Sequence, residues 1–480
     1  MNNTKRILIV GAGEAGIALA ADLVKRGLEN SIAGFIDDDL SKIGQVVSDV
    51  EVYGPVKSIS DVCHRLKITD VMIAAPSASS VLINDVFSSV VDYDRNINLY
   101  FVPSSERFFD STPIFPSLRE FSYSELLGRP EFSIDLDLME NYFRNKKILI
   151  TGAGGSIGAE ICRQLMKFNA GKIIALGRGE NSIYNLKRDM DDFIMMMDHP
   201  APNIHYVIAD VKDHKLLDRI FNEEKPDIVF HAAAHKHVPL MESNEIEAVQ
   251  NNVLGVNNVL DLSAKHLVKK FVLISTDKAV RPTSIMGATK RIAERLASYY
   301  GNNRNLNYTI VRFGNVLGSR GSVIPLFKDQ IKMGGPVTVT HPDVTRYFMS
   351  IPEASLLVIN SAAISSGDEI YVLDMGKQHK IDDIAKRMID IYGSDIGIEY
   401  IGLRPGEKLY EELYYYKEDM VKTANSKILL LKNDNDILSN NEFNLLIEAI
   451  AERVPYMSRK DIREFIKQHV PEYDYTSNFF

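Results

Sequence analysis

Two segments of the chain repeat one pattern of hydrophobic and polar positions. In the first, the apolar run Ile7-Leu8-Ile9-Val10 stops at Gly11, Gly13 and Gly16, and apolar residues then recur at helical spacing to about residue 26. In the second, Ile148-Leu149-Ile150 stops at Gly152, Gly154, Gly155 and Gly158, and a helical pattern follows to about residue 168. A short apolar run bounded by glycine predicts a buried strand, and the change of period predicts the helix after it. Each segment therefore opens a β-α-β unit. After the first, strands are predicted at Ile32–Ile36, ending at Asp37-Asp38-Asp39, at Asp70–Ala75 and at Asn98–Pro103. After the second they are predicted at 172–176, 204–209, 227–231, 270–275 and 308–312, with helices between.

This alternation divides the chain. Residues 1–125 make a small doubly wound domain, with a regulatory role open to it. The stretch from Thr112 to Arg144 holds Pro113, Pro116 and Pro130 and reads as irregular, with 126–145 a surface connector. Residues 146–313 make the larger, catalytic domain. From Gly314 the alternation loosens, and glycine, proline and arginine clusters at 318–346 and 402–407 predict loops and short helices over the carboxyl ends of the strands. Residues 314–480 are assigned to a substrate-binding region interleaved with the catalytic domain, closed by an amphipathic helical tail at 439–470. Met195-Met196-Met197, beside Phe193 and Ile194, reads as a helix end packed on the core. The fold class is α/β: two Rossmann-like doubly wound parallel-sheet domains, the second with a smaller α/β substrate-binding region.

Composition narrows the function classes. A chain of 480 residues, 45% hydrophobic and 25% charged, builds sizeable globular cores. A formal charge of −9 argues against nucleic acid as a partner, because a phosphate backbone selects a basic face. Cys63 and Cys162 show no metal-ligand spacing and read as buried small apolar residues in a reducing compartment. Met1 to Arg6 show no signal-peptide pattern, and no run approaches the ~18 apolar residues of a membrane span, so the expectation is a cytoplasmic protein.

The glycine turns point to phosphate, because a helix N-terminus offers unpaired N–H groups and partial positive charge. Gly11, Gly13 and Gly16, with Asp37 at the ribose distance, fit either nucleotide binding or a turn kept for helix packing. For the second turn, Gly152, Gly155, Ser156, Ile157 and Gly158 are the candidate dinucleotide cradle. Two further features support it. Asp210-Val211 follows a strand where a carboxylate can hold an adenine amino group, and Ala232, Ala233 and Ala234 form a small-residue strand end suited to a nicotinamide. Arg178 suits a 2′-phosphate and Glu180 a ribose diol, so NAD and NADP both stay open.

The densest chemistry is Ser275-Thr276-Asp277-Lys278, which puts a hydroxyl, a carboxylate and an amine in a row at a strand end, with Met286 and Lys290 in the next helix. His235, Lys236 and His237 have no carboxylate at ligand spacing, so no metal is expected there and a substrate-pocket or helix-start role is.

Together these motifs resemble the nucleotide-sugar 4,6-dehydratases of the large, tyrosine-lacking class within the extended short-chain dehydrogenase/reductase superfamily. The resemblance rests on Thr151 to Gly158, His231 to Pro239, Ser275 to Lys290, Arg312 to Ser322 and Leu403 to Lys408, and it covers nearly all of residues 1–430. Short-chain dehydrogenases place a tyrosine four residues before the lysine. Here Met286 stands before Lys290, and methionine has no proton to exchange. Many members of the class carry membrane helices ahead of the first domain, and the sequence shows no such run.

The resemblance implies UDP-N-acetylglucosamine as substrate and UDP-2-acetamido-2,6-dideoxy-hexos-4-ulose as product, formed with retained C5 configuration in a glycan biosynthesis pathway. It implies tightly bound, recycled NAD or NADP and a homo-oligomer. Hydride leaves C4, water is lost across C5 and C6, and hydride returns to C6. In these terms Thr276 is expected to hydrogen-bond the C4 oxygen. Asp277 is expected to take the C4 hydroxyl proton and give it to the leaving C6 hydroxyl. Lys278 is expected to remove the C5 proton as a neutral amine, its pKa lowered by desolvation and by the Lys290 and nicotinamide charges. Lys290 is expected on the nicotinamide ribose, and Met286 either walls the sugar pocket or packs the core. Arg320, Arg346 and Arg404 suit the diphosphate. Lys236, Asn315, Ser319, Val323 and Glu407 are further candidate substrate contacts, Glu407 to a ribose hydroxyl. A nucleotide-sugar epimerase or reductase, and a catalytically inert nucleotide sensor, are the alternatives.

Overall fold

The computed structural model describes residues 6–25, 27–74, 86, 90, 97–101, 119–120, 134–195, 197, 201–392, 396–415, 420–432 and 437–475. The chain divides into two compact units: Met1–Glu131 with Phe327–Val337 and Ala385–Ile398, and Phe132–Leu326 with Thr338–Ile384 and Glu399–Phe480.

In the first unit, β1 (Ile7–Val10), β2 (Ile32–Ile36), β3 (Asp70–Ile73), β4 (Asn98–Phe101) and β5 (Arg119–Glu120) form one sheet in the order β2-β1-β3-β4-β5. Every pairing is parallel except that of β5. Alternate strand residues feed two cores. Ile7, Ile9 and Phe35 pack with Leu19 and Leu23 of α1 (Glu14–Lys25), while Leu8, Val10 and Ile36 pack with Ile59 and Val62 of α2 (Ile59–Leu66). A helix on each face is the doubly wound arrangement expected. At the glycine turn, a side chain on Gly16 would collide with the Gly11 carbonyl oxygen, so close helix–strand packing requires that glycine. Asp37 Oδ2 accepts from Ala12 N at 2.8 Å and from Lys42 Nζ at 3.1 Å. The carboxylate predicted at the ribose distance is thus engaged by the turn itself.

The second unit is built on a nine-stranded sheet. Its strands are β6 (Lys147–Thr151), β7 (Lys172–Gly177), β8 (Asn203–Ile208), β9 (Ile228–His231), β10 (Lys270–Ile274), β11 (Tyr308–Arg312), β12 (Glu369–Leu373), β13 (Met420–Lys422) and β14 (Ile428–Leu431). The order is β8-β7-β6-β9-β10-β11-β12-β14-β13, parallel through β12 and antiparallel beyond. The order reverses between β6 and β9, and the carboxyl ends on either side of that point frame the crevice where such sheets bind ligands.

Both faces of this sheet are covered. Leu149, Leu176, Val229 and Leu273 pack with α6 (His214–Glu224), α7 (Gly255–Lys265), α8 (Ile285–Arg304) and the tail helices α10 (Asn440–Glu452) and α11 (Arg459–His469). Ile148, Ile150, Phe230 and Val272 pack with α3 (Leu136–Phe143), α4 (Ser156–Met166), α5 (Glu180–Met195) and α9 (Ile351–Ile364). Burial on both sides is why the strands read as unbroken apolar runs. Each fully buried Leu, Ile or Phe here contributes roughly 1.5–3 kcal/mol before chain entropy is counted.

Four expectations need correction or restriction. Beyond Gly314 the chain does not only cap the sheet: it adds β12, β14 and β13 to it and forms the 14-residue helix α9. Eight residues of α9 are buried, from Ala354 to Ala362, so it carries no polar stripe from which a helical period can be read. Within the stretch predicted to be irregular, Leu136–Phe143 is a helix whose N-cap, Asp135, accepts from Leu138 N at 2.9 Å. Pro113, Pro116 and Pro130 lie outside the described residues, as do Ala75, Val102 and Pro103. Of the methionine run, Met195 is 83% exposed, Met197 packs against the core, and Met196 lies outside the described residues.

Cys63 and Cys162 are buried thiols, each pushed up to about 12 by desolvation. Among the described residues no helix is long and apolar enough to cross a membrane.

Candidate active site

The second glycine turn leaves β6 at Thr151. Gly152 takes φ 68°, and a Cβ there would stand 2.6 Å from Ala233 N. A Cβ on Gly158 would collide with Gly152 O, so the turn and the first turn of α4 pass too close for any side chain. The N-cap, Gly155, offers no side chain, leaving the first N–H groups of this 11-residue helix without an intrahelical partner. Arg320 lies on the turn, its Nη1 donating to Gly154 O at 2.8 Å and its backbone N to Ser156 Oγ at 3.2 Å. This cradle fits a dinucleotide phosphate.

At the ends of β7 and β8 charges of both signs are interlocked. Arg178 Nη1 stands 3.2 Å from Glu247 and 3.6 Å from Asp210. Glu247 also accepts from Lys212 Nζ at 2.8 Å and from His235 Nε2 at 3.0 Å. Burial pushes the Glu247 carboxyl up, but the hydrogen bonds from Lys212 and His235 outweigh it and hold the group down at about 2. Asp210 Oδ1 accepts from Lys212 N, and Val211 is buried in the core beneath. Glu180 opens α5 and is exposed. Arg178, predicted to suit a 2′-phosphate, is thus already faced by two carboxylates.

On the other side of the turn, His231 is fully buried and its Nδ1 lies 2.9 Å from Thr151 Oγ1. Burial and the Lys290 charge push it down to about 3, so the ring is neutral. Ala232, Ala233 and Ala234 follow, half-buried. Lys290, in α8, donates to Ile274 O at 2.6 Å, and burial lowers it to about 8. Met286, one turn earlier, is 3% exposed and belongs to the core.

The strand β10 ends at Ile274 and releases the cluster. Thr276 Oγ1 donates to Asp277 Oδ1 at 2.9 Å. Asp277 is fully buried, its Oδ1 also accepts from Lys278 Nζ at 2.9 Å, and its Oδ2 has no hydrogen-bond partner among the described residues. Lys278 Nζ donates to Asn315 Oδ1 at 3.0 Å and stands 3.9 Å from Glu411 Oε1. The expectation of a depressed Lys278 is wrong for this state. Burial does push the amine down, but the Asp277 and Glu411 charges outweigh burial and the opposing Arg346, and Lys278 is held above its ordinary value. The lysine with the depressed pKa is Lys290.

Beneath the cluster lies a buried ion network. Arg312 donates to both oxygens of Glu294, at 2.7 and 2.6 Å, Ser275 Oγ donates to the same carboxylate at 2.6 Å, and Arg291 Nη1 adds a bond at 3.1 Å. It ties β10, β11 and α8 together directly under Thr276.

The remaining candidates divide. Lys236 Nζ donates to Ser319 Oγ at 3.2 Å, and Lys236 is lowered by burial and by the Lys278 charge, which brings these residues to the cluster side. Val323 opens a helix. Arg346 is buried and donates to the carbonyls of Thr345, Lys408 and Leu409 as well as to Glu407. Arg404 is the exposed partner of Glu407, at 3.3 Å. The three arginines predicted for one diphosphate thus serve different places: the glycine turn, the 407–409 backbone and the surface. Among the described residues no His, Cys, Asp and Glu group could hold a metal. Sequence reasoning missed Glu411 and Glu294. Glu294 follows Lys290 by one helical turn, a spacing that marks a shared face; Glu411 carries no such signal.

Comparison with known proteins agrees with this architecture. The profile of the family described as polysaccharide biosynthesis protein matches residues 148–433. The capsular polysaccharide biosynthesis protein CapD of Staphylococcus aureus is 44% identical over 452 residues, 93% of this chain and 74% of that protein. A UDP-glucose 4-epimerase of Rickettsia canadensis (strain McKiel) is 38% identical over 283 residues, 58% of this chain and 80% of that protein. The X-ray structure of Pen from Bacillus thuringiensis superposes with a TM-score of 0.56 at 34% identity, over 64% of this chain and 99% of Pen. With its family profile spanning the nine-stranded sheet and the Thr276-Asp277-Lys278 cluster alike, the chain belongs to the polysaccharide biosynthesis protein family.

Proposed function

We propose that this chain is a hydro-lyase that converts UDP-N-acetylglucosamine to UDP-2-acetamido-2,6-dideoxy-hexos-4-ulose with retained C5 configuration. The observation that carries the reading is the pair of buried Asp277 and part-buried Lys278 beside Thr276, with Met286 where an acid–base tyrosine would stand. Elimination of water needs one group to take the C5 proton and another to protonate the leaving hydroxyl, and the pair offers both. Simple C4 oxidation needs only one.

A nicotinamide dinucleotide would be held at its phosphates by Gly152, Gly155, Ser156, Ile157 and Gly158, and at its adenosine end by Asp210, Val211 and Glu180. Ala232 to Ala234 and Lys290 would meet its nicotinamide half; when bound it supplies the acceptor for the C4 hydride and the donor for C6. The two carboxylates facing Arg178 weigh toward NAD, since a 2′-phosphate would face them both. Asp277 Oδ2, buried without a hydrogen bond among the described residues, takes the C4 hydroxyl proton and passes it to the C6 hydroxyl as water leaves. Thr276 orients the C4 oxygen, and Lys278 takes the C5 proton. Lys236, Asn315, Ser319 and Arg320 lie on the cluster and turn side and bind the nucleotide sugar there, with Val323. Arg346, Glu407 and Arg404 tie the 404–409 loop together and are the further candidate contacts to the nucleotide sugar.

The rival reading is a nucleotide-sugar epimerase, favoured by the relative named for that activity. Proton NMR of the reaction with UDP-N-acetylglucosamine in heavy water separates the two. Dehydration gives a product lighter by one water, a new C6 methyl signal and deuterium at C5. An inverted C4 with the mass unchanged would sink the dehydratase reading.

The cradle has its own test. Gly158→Ala forces a methyl against Gly152 O. The variant is expected to retain its circular dichroism and to lose at least about tenfold in dinucleotide affinity by fluorescence titration, because the phosphate depends on close backbone approach. Unchanged affinity would remove the dinucleotide from this turn.

A further inference from the structure

Glu411 is 4% exposed, and its Oε1 stands 3.9 Å from Lys278 Nζ. Its Oε2, like Asp277 Oδ2, accepts no hydrogen bond among the described residues. Two buried carboxylates, each with one oxygen unengaged, therefore flank a single lysine. The other charged groups facing them are Arg346, Lys408 and Lys236. A buried carboxylate short of donors gains by taking a proton, and burial raises Glu411 accordingly, against the pull of Lys278.

The lysine is the difficulty for any elimination at this site. Its ammonium already carries the proton it would need to have lost. Release to solvent would leave the Glu411 charge in the interior without its nearest cation, with only Arg346 and Lys408 facing it, which is costly. Transfer to Glu411 leaves two neutral groups instead.

We propose that Glu411 is the proton store of Lys278: it takes the ammonium proton before Lys278 accepts the C5 proton, and returns it at the end of the cycle. The inference rests on the dehydratase reading above. In the first step the Nζ–H bond breaks and an Oε–H bond forms on Glu411. Asp277 meanwhile takes the C4 hydroxyl proton and becomes neutral, so Lys278 loses one of its two counter-charges when it must be an amine. The C5–H bond then breaks toward Nζ, its electron pair becomes the C5–C6 double bond, and the C6–O bond breaks. The hydroxyl leaves as water with the proton from Asp277. As C6 gains its hydride, C5 takes the proton from Lys278, and Glu411 returns its own to the amine. Every proton is accounted for, and the net loss is one water. Glu411 touches the substrate at no step and acts through Lys278 as a positioning residue.

The test uses the holoenzyme with UDP-N-acetylglucosamine in light and heavy water, comparing wild type, Glu411→Gln and Glu411→Asp. In Glu411→Gln, single-turnover cofactor reduction is expected to stay within about threefold of wild type, while dehydration and C5 exchange fall at least about tenfold at neutral pH. Both should climb as pH rises, because Lys278 must then lose its proton to solvent, whereas wild type is level across the same range. Glu411→Asp should restore the neutral-pH rate in large part. Dehydration by Glu411→Gln at the wild-type rate and pH profile overturns the inference. So does a parallel loss of cofactor reduction and dehydration, which would mark a purely structural role. If Glu411→Gln does not fold, Glu411→Ala takes its place: slowed C5 exchange with intact cofactor reduction supports the store, and equal losses or wild-type dehydration reject it. A wild type that forms no dehydrated product overturns the dehydratase reading itself, a result distinct from any of these.

Discussion

Lys278→Gln is expected to lower dehydration by at least about a thousandfold, within the range general acid–base groups supply, while single-turnover cofactor reduction survives at a measurable rate. Lys278 is the amine that reaches Asp277, Asn315 and Glu411 together. Glutamine keeps much of its length and polarity but cannot accept the C5 proton. The amide also removes the ammonium beside the buried Glu411, so Glu411 is expected to bind a proton. The sign follows from the present charges. The Lys278 charge pulls Glu411 down against burial, so Glu411 rises when the lysine is lost. The measurement is rapid-mixing absorbance of the reduced nicotinamide beside NMR of the product. A variant that dehydrates at a rate near wild type would remove Lys278 from the chemistry, and the proton store with it.

Glu294→Gln is expected to destabilise the second unit by about 3–5 kcal/mol, the usual cost of breaking a buried ion pair from one side. Arg312 is 0% exposed and donates twice to this carboxylate, and Arg291 and Ser275 share it. The neutral amide removes the anion that Arg312 and Arg291 share, while Arg291 keeps Glu472 at 3.3 Å. The effect should appear as a lower urea midpoint with an unchanged slope. A second consequence separates it from simple loosening. Burial lowers Lys290 and the Glu294 charge partly restores it, so the variant should lower Lys290 further below about 8. Any activity that needs the charged Lys290 is then present only at lower pH and is lost earlier as pH rises. A midpoint within experimental scatter of wild type would show that the network is dispensable.

Much of the fold is legible along the chain because its information is local. Ile7–Val10 and Ile148–Ile150 are apolar at every position, since both sheet faces are covered, and the glycines after them are imposed by backbone approach at Gly152 and Gly158. The five strands predicted after the second turn fall on β7 to β11 within a residue or two. The region after Gly314 is harder to read for a physical reason. Helix α9 is buried on most sides, and β12 to β14 join the sheet from far along the chain, so neither periodicity nor turn chemistry announces them. Likewise Met286, Lys290 and Thr276 to Lys278 stand out by residue type, whereas Glu411 is one acidic residue among several near the end of a loop.

By itself, then, the sequence determined the two wound sheets, the glycine cradle and the presence of a hydroxyl, a carboxylate and an amine at one strand end, because period, backbone room and residue type are properties of neighbouring positions. The charge state of the amine was decided only in three dimensions. Lys278 was read as a neutral base from its neighbours in sequence; it is held charged because folding sets its amine 2.9 Å from the buried Asp277 carboxylate and brings Glu411, 133 residues away, to 3.9 Å. A pKa answers to distance in space and to solvent exclusion, and neither quantity exists until the chain has folded.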